Sequence, residues 1–154
     1  MNKLIYIAGI LACLYIFMGS LIGKAFFKSG TDKLTTQVPE NFFDFKVKDI
    51  DGNVVDFAQF KDRKLIMVVN VACKWGLTSP NYKGMVKIHN EYQSKGFEIL
   101  AFPCNQFFNQ ESENEAAIKK FVKDNFNANF PIFSKIEVNG KETHPLFVYL
   151  RNHS

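Results

Sequence analysis

Two thiols and one turn carry the chemical possibilities of this sequence. Cys73 lies in the stretch Val69-Asn-Val-Ala-Cys-Lys-Trp-Gly-Leu-Thr78, where an apolar run gives way to a helix signal: Thr78 or Ser79 as cap and Pro80 in the first helical turn. A strand entering a helix N-terminus through a short turn suits nucleophilic and redox chemistry, because free amide N–H groups and the positive dipole end stabilise a thiolate. The fit is imperfect, since Trp75 stands nearer the helix, where a thiol would gain more. Cys104 follows Pro103 at the end of a second apolar run, which favours packing over redox work. Cys73 is equally readable as a small buried hydrophobe, and a Cys73–Cys104 disulfide needs a distance that sequence does not supply. The third cysteine, Cys13, lies in an apolar segment, so there is no disulfide framework. His89 reads as a solvent-facing helix residue, and with His144 and His153 it forms no metal-ligand spacing, so no metal site is expected.

These residues need a scaffold, and the chain is long enough for one domain: 154 residues, 47% hydrophobic, with 17 Phe. The net charge of +4 comes from dispersed Lys and gives no basic block for nucleic acid. Leu4–Gly23 is an uncharged, mostly apolar run bounded by Lys3 and Lys24, about the length that spans a bilayer. It is expected to be one transmembrane helix, a single-pass anchor in a secretory-pathway membrane. Flanking lysines lean weakly towards a cytoplasmic globular part. Cleavage before Phe26, after the small residues Gly23 and Ala25, is the alternative and would make the protein secreted. The expected organisation is residues 1–25 as membrane or signal segment, 26–40 as linker and 41–154 as the globular domain.

Within that domain, Phe43, Phe45 and Val47 alternate with polar residues, Asp51-Gly52 signals a turn, and Val54–Phe57 returns: a β-hairpin. Leu65–Val71 reads as a buried strand. From Thr78 to about Lys95, Tyr82, Met85, Ile88 and Tyr92 make one apolar helical stripe, stopped by Gly96. Phe97–Phe102 is a second buried strand, so strand, helix and strand form a right-handed parallel βαβ unit. Ser112 with Glu115 reads as a capping box opening a further helix, whose core face is Ala116, Ala117, Ile118, Phe121 and Val122. Phe130–Phe133 and Lys135–Val138 are short extended pieces, Asn139-Gly140 a turn and Pro145–Leu150 a short helix. Nothing after Val138 supplies more strands, which leaves exposed edges and an uncovered apolar face.

The motifs carry a resemblance. Asn70-Val-Ala-Cys-Lys-Trp-Gly-Leu-Thr78, followed by Asn81-Tyr82, resembles the first signature of the glutathione peroxidase family, Asn-Val-Ala-Ser-x-Cys-Gly-x-Thr, with Cys or selenocysteine as nucleophile. Leu100-Ala-Phe-Pro-Cys-Asn-Gln-Phe107 matches the second signature throughout. Phe108-Asn-Gln-Glu111 resembles the Gly-x-Gln-Glu after it, and Phe130–Phe133 and His144–Leu146 resemble further landmarks. The resemblance covers about Asn41 to Asn152. It implies an α/β, thioredoxin-like fold, here an N-terminal β-hairpin plus βαβ with the C-terminal strands and last helix missing. It also implies reduction of hydrogen peroxide or organic and lipid hydroperoxides, in response to oxidative stress. Glutathione or another thiol would be the reducing co-substrate, with no bound cofactor. The implied partners are peroxide and thiol, besides the lipid bilayer at Leu4–Gly23.

The departures matter as much. Trp75 stands at the family nucleophile position, and Cys73 falls where Ser is usual. Gln110 corresponds to the active-site Gln, which would hydrogen-bond the nucleophile or the departing oxygen. The Trp-Asn-Phe motif that supplies the family's other site residues is not reached, and Lys123 replaces the resolving Cys of the thioredoxin-dependent branch. An indole cannot attack an O–O bond. Three readings therefore stay open. In one, Cys73 has taken over, although by strand rise it sits about 6–7 Å short of position 75. In another, the chain is an inactive relative acting as a binding or structural protein at a membrane. In the third, the sequence is an imperfect or partial record of an active enzyme, since UGA, like the Cys codons, differs from UGG in one base.

Overall fold

In the computed structural model, residues 4–9 and 38–153 are described. The elements are β1 (Leu4–Gly9), the hairpin β2 (Lys46–Lys48) and β3 (Val54–Asp56), then β4 (Leu65–Val71), α1 (Thr78–Tyr92), β5 (Phe97–Pro103), α2 (Glu115–Phe126) and α3 (Pro145–Asn152). The strands of the main sheet lie in the order β1-β4-β5, all parallel, with Leu65 opposite Phe97 and Val71 opposite Pro103. The βαβ unit and the Gly96 stop, at φ 97°, stand where the sequence places them, while the hairpin is shorter than expected because Phe42–Asp44 and Phe57–Phe60 are 3-10 turns.

Strand alternation sorts the core into two layers. Ile66, Val68, Leu100 and Phe102 pack with the hairpin residues Phe45 and Val47 and with Leu146, Phe147 and Leu150 of α3. Val69, Val71, Ile99 and Ala101 pack with Tyr82 and Met85 of α1 and Ile118 and Val122 of α2. Both faces of the β4–β5 pair are therefore covered, and the expected open apolar face is absent from it. The short helix after His144, with the hairpin, supplies the cover. The far edge of β5 is closed by a bridge from Ala101 to Ile132. Phe133 N–H donates to the Ala101 carbonyl at 2.9 Å, and its ring stacks on Phe102 at 4.5 Å.

Four expectations are corrected. The transmembrane helix over Leu4–Gly23 is not what the described residues show: Leu4–Gly9 is strand β1, paired in parallel with β4 from Leu4–Leu65 to Gly9–Asn70. A segment of Leu, Ile and Tyr has high strand propensity, and the edge of β4 offers the unpaired N–H and C=O groups it needs. The rest of that run, 10–23, lies outside the described residues. Among the described residues no helix is long and apolar enough to cross a membrane. Second, the α1 stripe ends on His89, 3% exposed, while Ile88 and Tyr92 face outwards. His89 is tolerated inside because Nε2 meets Glu98 Oε1 at 2.8 Å and Nδ1 meets Asn129 Oδ1 at 3.0 Å. Third, Ser112 does not cap α2. Asn114 does, its Oδ1 accepting from Ala117 N–H at 2.9 Å, and of the expected core face only Ile118 and Val122 are fully buried. Fourth, neither Thr78 nor Ser79 caps α1; Leu77 precedes the helix without a side-chain cap.

Candidate active site

What Thr78 does instead shapes the first turn. Its hydroxyl accepts from the Trp75 N–H at 3.1 Å and donates to the Ala72 carbonyl at 2.7 Å, while its own N–H donates to the Trp75 carbonyl at 3.0 Å. One buried side chain thus closes the 72–75 turn on the start of α1. The loop after β5 is fastened to it. Cys104 N–H donates to the Val71 carbonyl at 3.0 Å, and Lys74 N–H donates to the Gln110 carbonyl at 2.9 Å. Lys74 Nζ reaches Ser112 Oγ at 2.7 Å and Glu113 Oε1 at 2.6 Å. That ion pair is half exposed and worth little energetically, but it fixes register.

The structure therefore brings Cys73, Trp75 and Gln110 into adjacent turns, joined through main-chain bonds. Trp75 and Gln110 are half-buried. Cys73 is half-buried and free, and Cys104 is buried and free. Cys104 belongs to the core, with its thiol 3.7 Å from Gln106 Oε1. Asn105 holds the loop from inside, its Oδ1 accepting from Glu111 N–H at 2.9 Å.

Sequence reasoning gives Glu111 and Tyr82 no chemical role. Glu111 is 0% exposed and Tyr82 1% exposed. Neither carboxyl oxygen of Glu111, nor the Tyr82 hydroxyl, closes a hydrogen bond. The sequence signals are Glu111's place directly after Gln110 and Tyr82's place directly after the first signature. Burial, then the charge of the Glu111 carboxylate, push the Cys73 thiol well above its usual range, with Glu113 adding and Lys74 opposing. The expected lowering by the helix N-terminus is thus overridden. Cys73 lies early in the turn, two residues past the end of β4 and five before α1, and the dipole falls off within a turn. Burial likewise raises the Glu111 carboxyl above the usual carboxylate range, opposed by the Cys73 thiol and main-chain N–H and by Lys135 and Lys74. Burial also raises the Cys104 thiol.

The loop carries strain. Phe108 and Asn109 hold φ of 55° and 54°, and Phe108 is 88% exposed. A bulky side chain in the left-handed region costs about 1–2 kcal/mol, and the family signature has Gly at this position. Phe108→Gly is therefore expected to raise stability by about 1 kcal/mol, read as a higher denaturant midpoint at unchanged slope; a lower midpoint contradicts the strain.

Among the described residues no group of three or more His, Cys, Asp or Glu could hold a metal. His144 caps α3, with Nδ1 accepting from Leu146 N–H at 3.2 Å, and His153 stacks on Tyr149 at 4.1 Å. A cleft of about 420 Å³ between the hairpin and α2, bordered by Asp51, Lys119 and Phe130, contains none of the residues of the two turns.

The family model for glutathione peroxidase matches residues 42–151. Probable glutathione peroxidase 2 of Arabidopsis thaliana is 49% identical over 118 residues, which are 77% of this chain and 69% of that protein. The probable phospholipid hydroperoxide glutathione peroxidase of Mesembryanthemum crystallinum is 46% identical over 118 residues, again 77% of this chain and 69% of the relative. The crystal structure of T. cruzi GPX1 superposes with a TM-score of 0.57 at 34% identity, covering 73% of this chain and 66% of that one. This chain thus spans about two thirds of the length of each relative.

Proposed function

The chain belongs to the glutathione peroxidase family, and from that premise we propose that it reduces hydroperoxides at the expense of a thiol, with Cys73 as the attacking sulfur. One observation carries the reading: the Lys74 N–H to Gln110 carbonyl bond at 2.9 Å, which sets Cys73 and the family's Gln position side by side at the entrance to α1. Trp75, at the family nucleophile position, offers no ionisable group, and Cys104 is sealed in the core. Cys73 is the remaining thiol of the two turns. In the reaction the sulfur attacks one peroxide oxygen, the O–O bond breaks, and the sulfenic acid formed is reduced by glutathione or another thiol. Gln110 is the amide available to the departing oxygen. Hydrogen peroxide and organic hydroperoxides are the substrate class, and the name of the Mesembryanthemum relative makes phospholipid hydroperoxides part of it.

The organisation proposed is a segment at 1–25, a linker at 26–40 and the peroxidase-like domain from 41 to 154. Membrane attachment through Leu4–Gly23, and the secretory-pathway location that goes with it, rest on length and hydropathy alone. Strand β1 would have to leave the sheet edge to enter a bilayer.

A second reading, a relative that binds without turnover, is favoured by Trp75 and by the raised Cys73 thiol. Thiol-dependent peroxide consumption by the purified full chain separates the two. Turnover that is lost in Cys73→Ser supports the peroxidase; no turnover, or turnover untouched by Cys73→Ser, supports the other.

A further inference from the structure

Among the described residues, three buried side-chain polar atoms lack a hydrogen bond: Glu111 Oε1, Glu111 Oε2 and the Tyr82 hydroxyl oxygen. A buried polar atom without a partner is costly and calls for an explanation. Glu111 bears directly on the Cys73 thiol, and Cys73 and Glu111 in turn both bear on the Tyr82 hydroxyl. Tyr82 lies in the core layer against which Cys73 packs. Glu111 follows Gln110, whose carbonyl is tied to the residue after Cys73. A fully buried acid with open valences, directed at a half-exposed thiol, has the makings of a proton-transfer site rather than of a packing element.

We propose that Glu111 is the acid–base residue of Cys73, and that the open polar atoms of Glu111 and Tyr82 receive the hydroperoxide group itself. The inference rests on the peroxidase reading above. The Cys73 S–H proton passes to the Glu111 carboxylate as sulfur attacks the hydroxyl oxygen of the hydroperoxide. The S–O bond forms and the O–O bond breaks. Sulfur is oxidised by two electrons to the sulfenic acid. The leaving oxygen takes the proton from Glu111 and departs as alcohol, or as water from hydrogen peroxide. Glu111 ends as the carboxylate it began as. The Tyr82 hydroxyl donates to a peroxide oxygen while the bond breaks.

This division of labour accounts for two features together. A resting thiol held protonated by burial and by Glu111 is inert towards most electrophiles. It becomes competent only towards a substrate that both accepts sulfur attack and takes a proton back. Burial raises the proton affinity of the Glu111 carboxylate, which favours its taking the proton from sulfur. The charged and titratable groups facing the pair are Lys74 and Glu113 beside Cys73, Lys135 and Lys74 beside Glu111, and Tyr82 from α1.

Glu111→Gln and Glu111→Leu in the full chain test it. The second variant removes the orphaned oxygens and guards against a folding failure, since an apolar replacement of a buried charge is often neutral or stabilising. Two rates are read on the Cys73 peptide by mass spectrometry: alkylation by iodoacetamide across pH, and oxidation by cumene hydroperoxide without reductant. Both variants are expected to move the alkylation midpoint to lower pH, because a negative charge has gone. Both are expected to slow oxidation at neutral pH at least about tenfold. A purely structural Glu111 would not move the two readouts in opposite directions. An unmoved alkylation midpoint, or oxidation as fast as in the wild type, overturns the inference. Wild-type Cys73 left unoxidised instead overturns the peroxidase reading on which it rests.

Discussion

Trp75→Cys is expected to raise thiol-dependent hydroperoxide turnover by about a hundredfold. The magnitude follows from ionisation. With its pKa pushed above the usual thiol value by burial and by Glu111, Cys73 supplies less thiolate at neutral pH than a free thiol does. A thiol at position 75 is two residues closer to α1, within the turn that Thr78 closes at 3.1 Å from the Trp75 N–H. Thiols at helix N-termini have pKa values of about 3.5–7.5 and are largely ionised at pH 7. The same substitution removes the bulk of an indole from the mouth of the turn. The check is peroxide consumption with glutathione as donor, in Trp75→Cys and in Trp75→Cys combined with Cys73→Ser. Both should be equally fast, because the introduced thiol does the work. A variant no faster than the wild type contradicts the claim that this turn is a peroxidatic setting.

Glu98→Ala is expected to lower stability by about 3–5 kcal/mol. Glu98 is 5% exposed, and its carboxylate meets His89 Nε2 at 2.8 Å and Arg63 Nη2 at 3.1 Å. It also accepts from the Ile99 N–H at 3.1 Å. Truncation strands the 3%-exposed His89 ring with only Asn129 as partner, and it frees the Arg63 guanidinium beside a buried strand. Glu98→Gln keeps an acceptor oxygen and should cost less than half as much. Urea unfolding monitored by tryptophan fluorescence, through the single Trp75, reads both. A loss below about 1 kcal/mol for the alanine variant would mean that the buried network adds nothing to the β4–α1–β5 unit.

How far sequence reasoning reached follows from these residues. Leu65–Val71 and Phe97–Pro103 were legible because continuous apolar runs have few alternatives to buried strands, and Gly96 because a left-handed stop favours glycine. Pattern failed where a polar side chain is satisfied by a distant partner. His89 looks solvent-facing until Glu98 and Asn129 arrive from β5 and the loop after α2. Ser112 and Glu115 spell a capping box, but Lys74 takes Ser112 and Asn114 takes the cap. Thr78 offers a hydroxyl for α1, and the turn before it uses both hydrogen-bonding capacities. β1 was read as a helix because a uniformly apolar run has no period, and only the free edge of β4 decides between helix and strand.

At the site, the signatures single out Cys73, Trp75 and Gln110, and the structure has these three in two turns joined by main-chain bonds. They misjudged the environment of the thiol. Proximity to a helix start suggests a lowered thiol pKa, whereas burial and the hidden carboxylate of Glu111 push it up. Glu111 escaped notice because burial of an acid is not written in local sequence; it follows from Asn105 and Gln110 turning the loop back on β4.

The central claim is that Cys73, rather than Cys104 or Trp75, meets the peroxide. The most direct measurement is exposure of the wild-type chain to one equivalent of cumene hydroperoxide in the presence of dimedone, a carbon nucleophile that traps sulfenic acid, followed by peptide mass spectrometry. The account predicts a single adduct on the Cys73 peptide, with Cys104 unmodified. An unmodified Cys73, or an adduct on Cys104 in its place, contradicts it.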